Sequence, residues 1–182
     1  MVQSLTDEIS LFFCMNLLVD LIHIFTLTGI FYASDSEGRR YMHFEKGKIY
    51  EELEIGETAS FSKTITETDI YLFAGISGDF NPMHVNEVYA QQTPFKARIA
   101  HGPLSQSLIA PVLGTKLPGL GTVLLELFTR FRAPVYAGDT VTATAEIIEK
   151  LEKKKWVRLK LTWINQDQKL VAEGEALVIP PR

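Results

Sequence analysis

Cysteine is nearly absent from this 182-residue sequence, which has only Cys14, and basic residues are not in excess. A single cysteine cannot build a disulfide framework or a multi-cysteine metal cluster, and nothing requires an oxidising compartment, which favours the cytoplasm. Lysine and arginine total 18 against 22 aspartates and glutamates, so the formal net charge is −4. This charge excludes the basic footprint expected of a nucleic-acid-binding protein. The hydrophobic fraction of 46% and the charged fraction of 22% are typical of a globular protein.

Long hydrophobic runs are absent except for one, which extends over Ile9–Tyr32. It exceeds the roughly 20 residues that a helix needs to cross a bilayer. Asp20 lies in the middle of the run, where a carboxylate is costly in lipid. Asp7 and Glu8 stand where a signal peptide carries basic residues. The run therefore does not fit a signal peptide, and association with a membrane stays open.

Three interpretations of this N-terminal segment remain open. It is a membrane anchor, an extra helix packed on the domain or on a partner, or a stretch upstream of the natural start. The third interpretation arises because Met42 is a second plausible start. We therefore divide the chain into an apolar N-terminal extension, residues 1–41, and a self-sufficient domain, residues 42–182.

The second part predicts a mixed α and β domain. Five segments alternate in polarity or are rich in β-branched and aromatic residues, and they predict the strands Thr58–Ile65, Thr122–Phe131, Asp139–Glu149, Lys155–Asn165 and Leu170–Ile179. A buried helix is expected from Pro103 to about Leu113, broken or kinked because Pro111 cannot donate to the carbonyl of Ser107. This order indicates an α+β fold with a helix on one face of an antiparallel sheet.

Two further helices are predicted before the buried one. The first begins after Thr66, which can cap it together with Asp69, and its predicted apolar face is formed by Ile70, Leu72, Phe73 and Ile76. Gly75 and Gly78 are expected to end it. The second begins after Asn86 and extends to about Gln92.

Candidate catalytic side chains lie in the segment GDFNPMH, which follows the first of these helices. Gly78 permits a sharp turn, and Asn81 favours an extended conformation because it precedes a proline. The loop can therefore bring Asp79 and His84 together as a general acid/base pair that holds one water. Taken alone, such a pair is more often structural, with Asp79 and Asn81 as turn formers and His84 as a hydrogen-bonded polar residue.

A second element, AHGP, stands directly before the buried helix. Gly102 has no side chain, so a substrate carbonyl can approach its backbone N–H at a helix N-terminus, where an oxyanion is favoured. A water-activating pair together with an oxyanion donor is what enolate chemistry on a thioester requires. The structural alternatives are a helix cap for Gly102 and a capping or packing role for His101.

These segments resemble the signature of the MaoC-like (R)-specific enoyl-CoA hydratases. The resemblance rests on YLFAGISGDFNPMH followed by Ala90, on AHG, on LPG and on FRAPVYAGDT, and it covers about residues 47–179. It implies a hotdog fold, an antiparallel β-sheet wrapped around a long central α-helix. It also implies a homodimer or higher homo-oligomer, with the acyl thioester in a tunnel near the dimer interface.

The resemblance further implies the reaction and the residues that perform it. Water adds reversibly to a trans-2-enoyl-CoA to give an (R)-3-hydroxyacyl-CoA, with no metal or redox cofactor. The implied catalytic residues are Asp79, His84 and Gly102, and the expected substrate-binding residues are Asn81, His101 and Ser105. Cationic candidates for the coenzyme A phosphates are Lys96, Arg98, Arg130 and Arg132, unless they form surface charges or ion pairs.

Other functions stay open at this point. One is a 3-hydroxyacyl-[acyl-carrier-protein] dehydratase, which performs the same chemistry on another carrier. A thioesterase of the same fold would attack C1 instead, and the Asp79–His84 pair argues against it. A non-catalytic acyl-thioester-binding module needs neither side chain.

Overall fold

The computed structural model describes residues 46–182 in full and the backbone of two earlier segments, residues 30–34 and 40–44. The chain divides into two compact units, Met1–Glu45 and Lys46–Arg182. In the first unit, β1 (Ile30–Ser34) pairs antiparallel with β2 (Arg40–Phe44). Most of the apolar run lies outside the described residues, so its function stays a prediction, and its last three residues are in β1. Within the part of the chain that is described, no helix is long and apolar enough to cross a membrane.

The second unit combines one antiparallel sheet with short helices. Its strands are β3 (Thr58–Thr64), β4 (Val123–Phe131), β5 (Thr140–Leu151), β6 (Trp156–Ile164) and β7 (Leu170–Ile179). Its helices are α1 (Glu67–Ser77), α2 (Pro82–Val85), α3 (Glu87–Gln92), α4 (Gly102–Gln106) and α5 (Ile109–Thr115), with a 3₁₀ turn at Tyr50–Glu52. The strand order is β3-β5-β6-β7-β4, and every neighbouring pair is antiparallel. The predicted strands and the α+β class are confirmed, with strand ends within two residues of the prediction.

Alternation along the central strands places one face of the sheet in the core. On β5, Val141, Ala143, Ala145 and Ile147 are fully buried, and the residues between them are half-buried. In the adjacent strand β6, the fully buried Trp163 stands directly opposite Ala143. A small residue facing a large one allows the two strands to fill the core without overlap.

The helix that lies on this face is interrupted. It consists of α4 and α5, and the interruption falls at Ser107 and Leu108. There the Ser107 carbonyl accepts from Ala110 N–H at 2.9 Å, because Pro111 has no N–H to offer it. The predicted break is therefore confirmed, and α4 and α5 together form the central helix of the fold. Buried residues of α5, Ile109, Val112 and Leu113, join the same core as the sheet.

Helix α1 positions the loop that follows it. Thr66 Oγ1 accepts from Asp69 N–H at 3.2 Å, and the Asp69 carboxylate accepts from Thr66 N–H at 2.8 Å, which is the predicted capping box. Gly78 ends the helix in the left-handed conformation, with φ of 76°. The expectation that Gly75 also ends it is wrong, because Gly75 lies inside α1.

The apolar face predicted for α1 is only partly in the core. Ile70 is buried, and Phe73 packs against the core cluster. Leu72 and Ile76 are instead 60% and 84% exposed. The prediction is wrong for these two residues, since they lie on the face of α1 that is directed away from the sheet core.

Candidate active site

The loop after α1 is held by short-range hydrogen bonds. Asp79 N–H donates to Ser77 Oγ at 3.2 Å, and Asp79 Oδ1 accepts from Asn81 N–H at 3.1 Å. Asn81 Oδ1 in turn accepts from Met83 N–H at 3.2 Å and caps α2, a one-turn helix that the sequence did not predict. These bonds turn the chain so that Asp79 and His84 approach each other.

His84 lies on α2 with only 7% of its surface exposed. Its Nδ1 is 2.8 Å from the carbonyl oxygen of Ile99. A carbonyl can only accept, so Nδ1 carries a proton and Nε2 is the nitrogen that faces Asp79. The distance between His84 Nε2 and Asp79 Oδ2 is 4.0 Å. That gap is too long for a direct hydrogen bond and suits an intervening water.

His101 lies behind this pair and is almost completely buried, at 1% exposure. Its ring stacks on the ring of His84, with centroids 3.8 Å apart and planes inclined by 29°. Its Nε2 is 2.9 Å from the backbone carbonyl oxygen of Asp79. Its Nδ1 is buried and has no hydrogen-bond partner among the described residues.

A cavity of about 300 Å³ opens beside His84. Its lining is mostly apolar and consists of His84, Phe95, Ile99, Ala100, Gly102, Ser105, Phe131, Arg132, Ala133, Pro134, Val135 and Val171. Gly102 and Ser105 are three residues apart on α4 and therefore share a helix face. Of the three residues predicted to bind substrate, only Ser105 lines the cavity, whereas Asn81 and His101 have the other contacts described above.

Gly102 is the first residue of α4, so its N–H has no acceptor within the helix. A Cβ at this position would lie 2.9 Å from Phe131 Cζ, so the Phe131 ring occupies the space that a side chain would need. Because α4 has five residues, the orientation of this N–H matters more than the dipole of the helix.

The same cluster offers possible metal ligands. One ligand atom from each of Asp79, His84 and His101 lies within 4.8 Å of the others. However, the two imidazole rings are stacked, so their nitrogen lone pairs run side by side instead of converging on one point. His84 Nδ1 and His101 Nε2 are also engaged by carbonyl oxygens. The arrangement favours proton transfer over metal binding.

Two of the cationic candidates for coenzyme A have carboxylate partners. Arg98 donates to Glu67 at 2.6 Å and to Glu87 at 3.1 Å, and it also donates to the hydroxyl of Tyr71 at 2.9 Å. It thereby ties α1 and α3 to the segment that carries Ile99. Arg132 pairs with Glu173 on β7. The contacts of Arg98 therefore hold α1 and α3 together, and Arg132 is an ion-paired residue at the cavity.

Sequence reasoning missed two contributors to this site. The Ile99 carbonyl orients His84, and no side-chain pattern reveals a role played by a backbone oxygen. The second is the Phe131 ring against Gly102, for which the only signal was the presence of Phe131 in the FRAPV segment.

An antiparallel sheet with a helix on its inner face is the arrangement of a hotdog-fold protein, and here an aspartate–histidine pair lies beside an apolar cavity. The family profile described as MaoC like domain matches residues 51–166. The chain belongs to the MaoC-like family.

Individual relatives agree with this assignment. An (R)-specific enoyl-CoA hydratase from Rhodospirillum rubrum is 52% identical over 132 residues, covering 72% of this chain and 91% of the relative. The unliganded R-hydratase PhaJ1 from Pseudomonas aeruginosa is 44% identical with a TM-score of 0.71, covering 75% of this chain and 87% of that one. The (R)-hydratase from Aeromonas caviae is 38% identical with a TM-score of 0.69, covering 71% of this chain and 98% of that one. The predicted hotdog fold is confirmed.

Proposed function

We propose that this protein is an (R)-specific enoyl-CoA hydratase, a hydro-lyase that adds water reversibly to trans-2-enoyl-CoA to give (R)-3-hydroxyacyl-CoA. The observation that carries the proposal is the 4.0 Å gap between Asp79 Oδ2 and His84 Nε2, beside a mostly apolar cavity that Gly102 also lines. The 52% identity to a hydratase of this name supports it.

In the proposed mechanism the water oxygen, held between Asp79 and His84, bonds to C3 of the substrate. Asp79 accepts one proton of this water, and protonated His84 gives its Nε2 proton to C2 on the same face. Asp79 then returns a proton to His84, so the net change is the addition of one water. The Gly102 N–H stabilises the negative charge that develops on the C1 oxygen. No electrons are exchanged with a cofactor.

Ser105 is the residue of α4 whose side chain we propose contacts the bound substrate. It is 2% exposed to bulk solvent and lines the cavity one turn after Gly102. We expect Ser105→Ala to raise the KM by a few-fold with little change in kcat, because it removes binding without removing a proton-transfer group.

The first test is hydration of crotonyl-CoA by the full-length protein, measured as loss of the enoyl-thioester absorbance with chiral analysis of the product. Asp79→Asn keeps the shape of the side chain but removes the base, so we expect turnover to fall by about 10²–10⁴-fold. Asp167→Asn changes an exposed carboxylate in the β6–β7 turn and is the matched control, expected to keep wild-type turnover. Formation of the (S) product or normal turnover by Asp79→Asn would contradict the proposal.

Two further substrates distinguish the alternatives. Crotonyl-acyl carrier protein, assayed beside crotonyl-CoA, tests for the dehydratase that acts on the carrier protein, and we expect the higher kcat/KM with coenzyme A. Release of free thiol during the assay would indicate a thioesterase. A folded protein that hydrates neither thioester would favour the non-catalytic binding module.

We also propose that the protein forms a homodimer through β4, which is an edge strand of the sheet. Five of its apolar residues are 40–60% exposed, namely Val123, Leu124, Leu125, Phe128 and Phe131. An apolar edge strand is prone to pairing with another strand, and a second copy of β4 provides a matching one. Phe128→Lys should yield monomers in light scattering, whereas Ser62→Lys on the opposite edge strand, β3, should not. A monomeric wild-type protein at micromolar concentration would contradict this proposal.

The proposed location is the cytoplasm, since the only cysteine is Cys14 and coenzyme A thioesters are intracellular substrates.

A further inference from the structure

His101 is linked to all three residues of the proposed mechanism, namely His84, Asp79 and Gly102. Its ring stacks on His84, its Nε2 faces the carbonyl oxygen of Asp79, and it directly precedes Gly102. Asp79 and His101 are 22 positions apart. The bond between them therefore joins the loop after α1 to the start of α4.

Residues 78–81 depend on this bond because their other described hydrogen bonds are with near neighbours in the chain. Asp79 is held by Ser77, the last residue of α1, and by Asn81, each two positions away. The Asp79 side chain is also 52% exposed, so packing contributes little to its position. The His101 contact is the long-range bond that relates Asp79 to α4.

The hydrogen bond and the surroundings of His101 indicate which ring nitrogen carries a proton. The Asp79 carbonyl only accepts, so His101 Nε2 carries a proton and Nδ1 carries a lone pair. Nδ1 is buried with no partner in the described part of the chain, so a second proton there would create an unpaired buried charge against the His84 ring. The ring is absent from the cavity lining and stacks behind His84, so we assign it no contact with the acyl thioester.

We propose that His101 is a positioning residue, whose neutral Nε2–H fixes the water-binding pair relative to the oxyanion donor Gly102. This inference rests on the proposed function, because it assigns His101 a role through the groups that perform hydration. A displacement of about 1 Å in a catalytic group can cost about 10²-fold in rate, so the bond has a measurable effect on kcat.

Two variants of the full-length protein separate the contribution of the hydrogen bond to kcat from that of ring stacking. His101→Gln keeps an amide N–H near the Asp79 carbonyl but loses the aromatic ring. His101→Phe keeps a ring against His84 but leaves the carbonyl without a donor. We expect His101→Phe to lose about 10²-fold in kcat with crotonyl-CoA at nearly unchanged KM, and His101→Gln to recover at least tenfold of that loss. Trp163→Phe, a buried aromatic exchange within β6, controls for general core effects.

Several results would overturn the inference. These are wild-type kcat in folded His101→Phe, equal losses in both variants, or a raised KM at unchanged kcat. Asp79→Asn is assayed in parallel, and normal turnover there would overturn the proposed function itself. The tautomer gives a test that needs no variant, by ¹⁵N NMR of the histidine rings of the wild-type protein. We expect His101 protonated at Nε2 alone at neutral pH, and a proton on Nδ1 would refute the assignment.

Discussion

The close contact between Gly102 and Phe131 leads to a quantitative prediction for Gly102→Ala. The added Cβ would lie 2.9 Å from Cζ and 3.1 Å from both Cε atoms of the Phe131 ring. Carbon atoms in favourable contact are about 3.5–4.0 Å apart, so the ring must move by about 0.5–1 Å. Overpacking of this kind costs about 1–3 kcal/mol of unfolding free energy.

Whether the protein is a monomer or a dimer determines where in that range the loss of unfolding free energy lies. Phe131 is 47% exposed in the single chain, so an isolated domain lets the ring swing outward at about 1 kcal/mol. In the proposed dimer, β4 is covered and the ring loses that freedom, so we expect a cost near 3 kcal/mol.

Urea unfolding of the full-length protein measures this cost, and Gly114→Ala is the matched control. Gly114 lies in α5, and beyond its chain neighbours and its own helix backbone no atom of the described residues comes within 4 Å of an added Cβ. Alanine there should therefore stabilise the protein by about 0.5–1 kcal/mol. In the Phe131→Ala background the added methyl group meets no ring, so Gly102→Ala should then cost almost nothing. Equal costs of Gly102→Ala in the two backgrounds would refute the reasoning.

Three further predictions concern stability and domain structure. The pKa of Asp69 is lowered to about 2, chiefly by the hydrogen bond from Thr66 N–H and then by Lys63 and the Thr66 hydroxyl. Its stabilisation is complete above the unfolded pKa near 3.9 and is lost as the pH falls through about 2. Asp69→Asn should therefore lower the unfolding free energy by up to about 2 kcal/mol at pH 7, and by less as the pH falls below about 4. A difference in unfolding free energy between wild type and variant that stays constant down to pH 2 would contradict this. Arg98→Lys keeps the charge but cannot bond Glu67, Glu87 and Tyr71 together, so we expect a loss of about 1–2 kcal/mol in urea unfolding, with Lys160→Met on the exposed sheet face as a neutral control. A chain that starts at Met42 should keep the thermal transition and crotonyl-CoA turnover of the full chain, whereas its aggregation would show that residues 1–41 are needed for folding.

Local sequence signals were sufficient for the strands and the caps. Each of the five strands follows a signal within its own segment, either alternation in polarity or a high content of β-branched and aromatic residues, and the Thr66–Asp69 capping box depends on residues three positions apart. The break in the buried helix also follows from one local fact, the missing N–H of Pro111. Such features need no knowledge of the rest of the chain.

Features that depend on tertiary contacts could not be predicted in the same way. Leu72 and Ile76 have the spacing of a buried face, but burial depends on which elements reach that side of α1. The stacking of His84 on His101 joins residues 17 positions apart, and periodicity carries no information on such a pair. The approach of Asp79 and His84 was predictable because only five positions separate them across a turn, although the 4.0 Å gap was not.

The interruption at Ser107 and Leu108 separates the helix that packs against the sheet from the helix that lines the cavity. Helix α5 packs against β3 and β5 and contributes to the core, whereas α4 carries Gly102 and Ser105 at the cavity. A continuous helix would transmit any change of tilt in the core directly to Gly102, but a junction with its own hydrogen bonding can absorb it. The cavity-lining side of α4 can therefore change with less effect on the packing of α5 against the sheet, whereas Leu104 of α4 still belongs to the core.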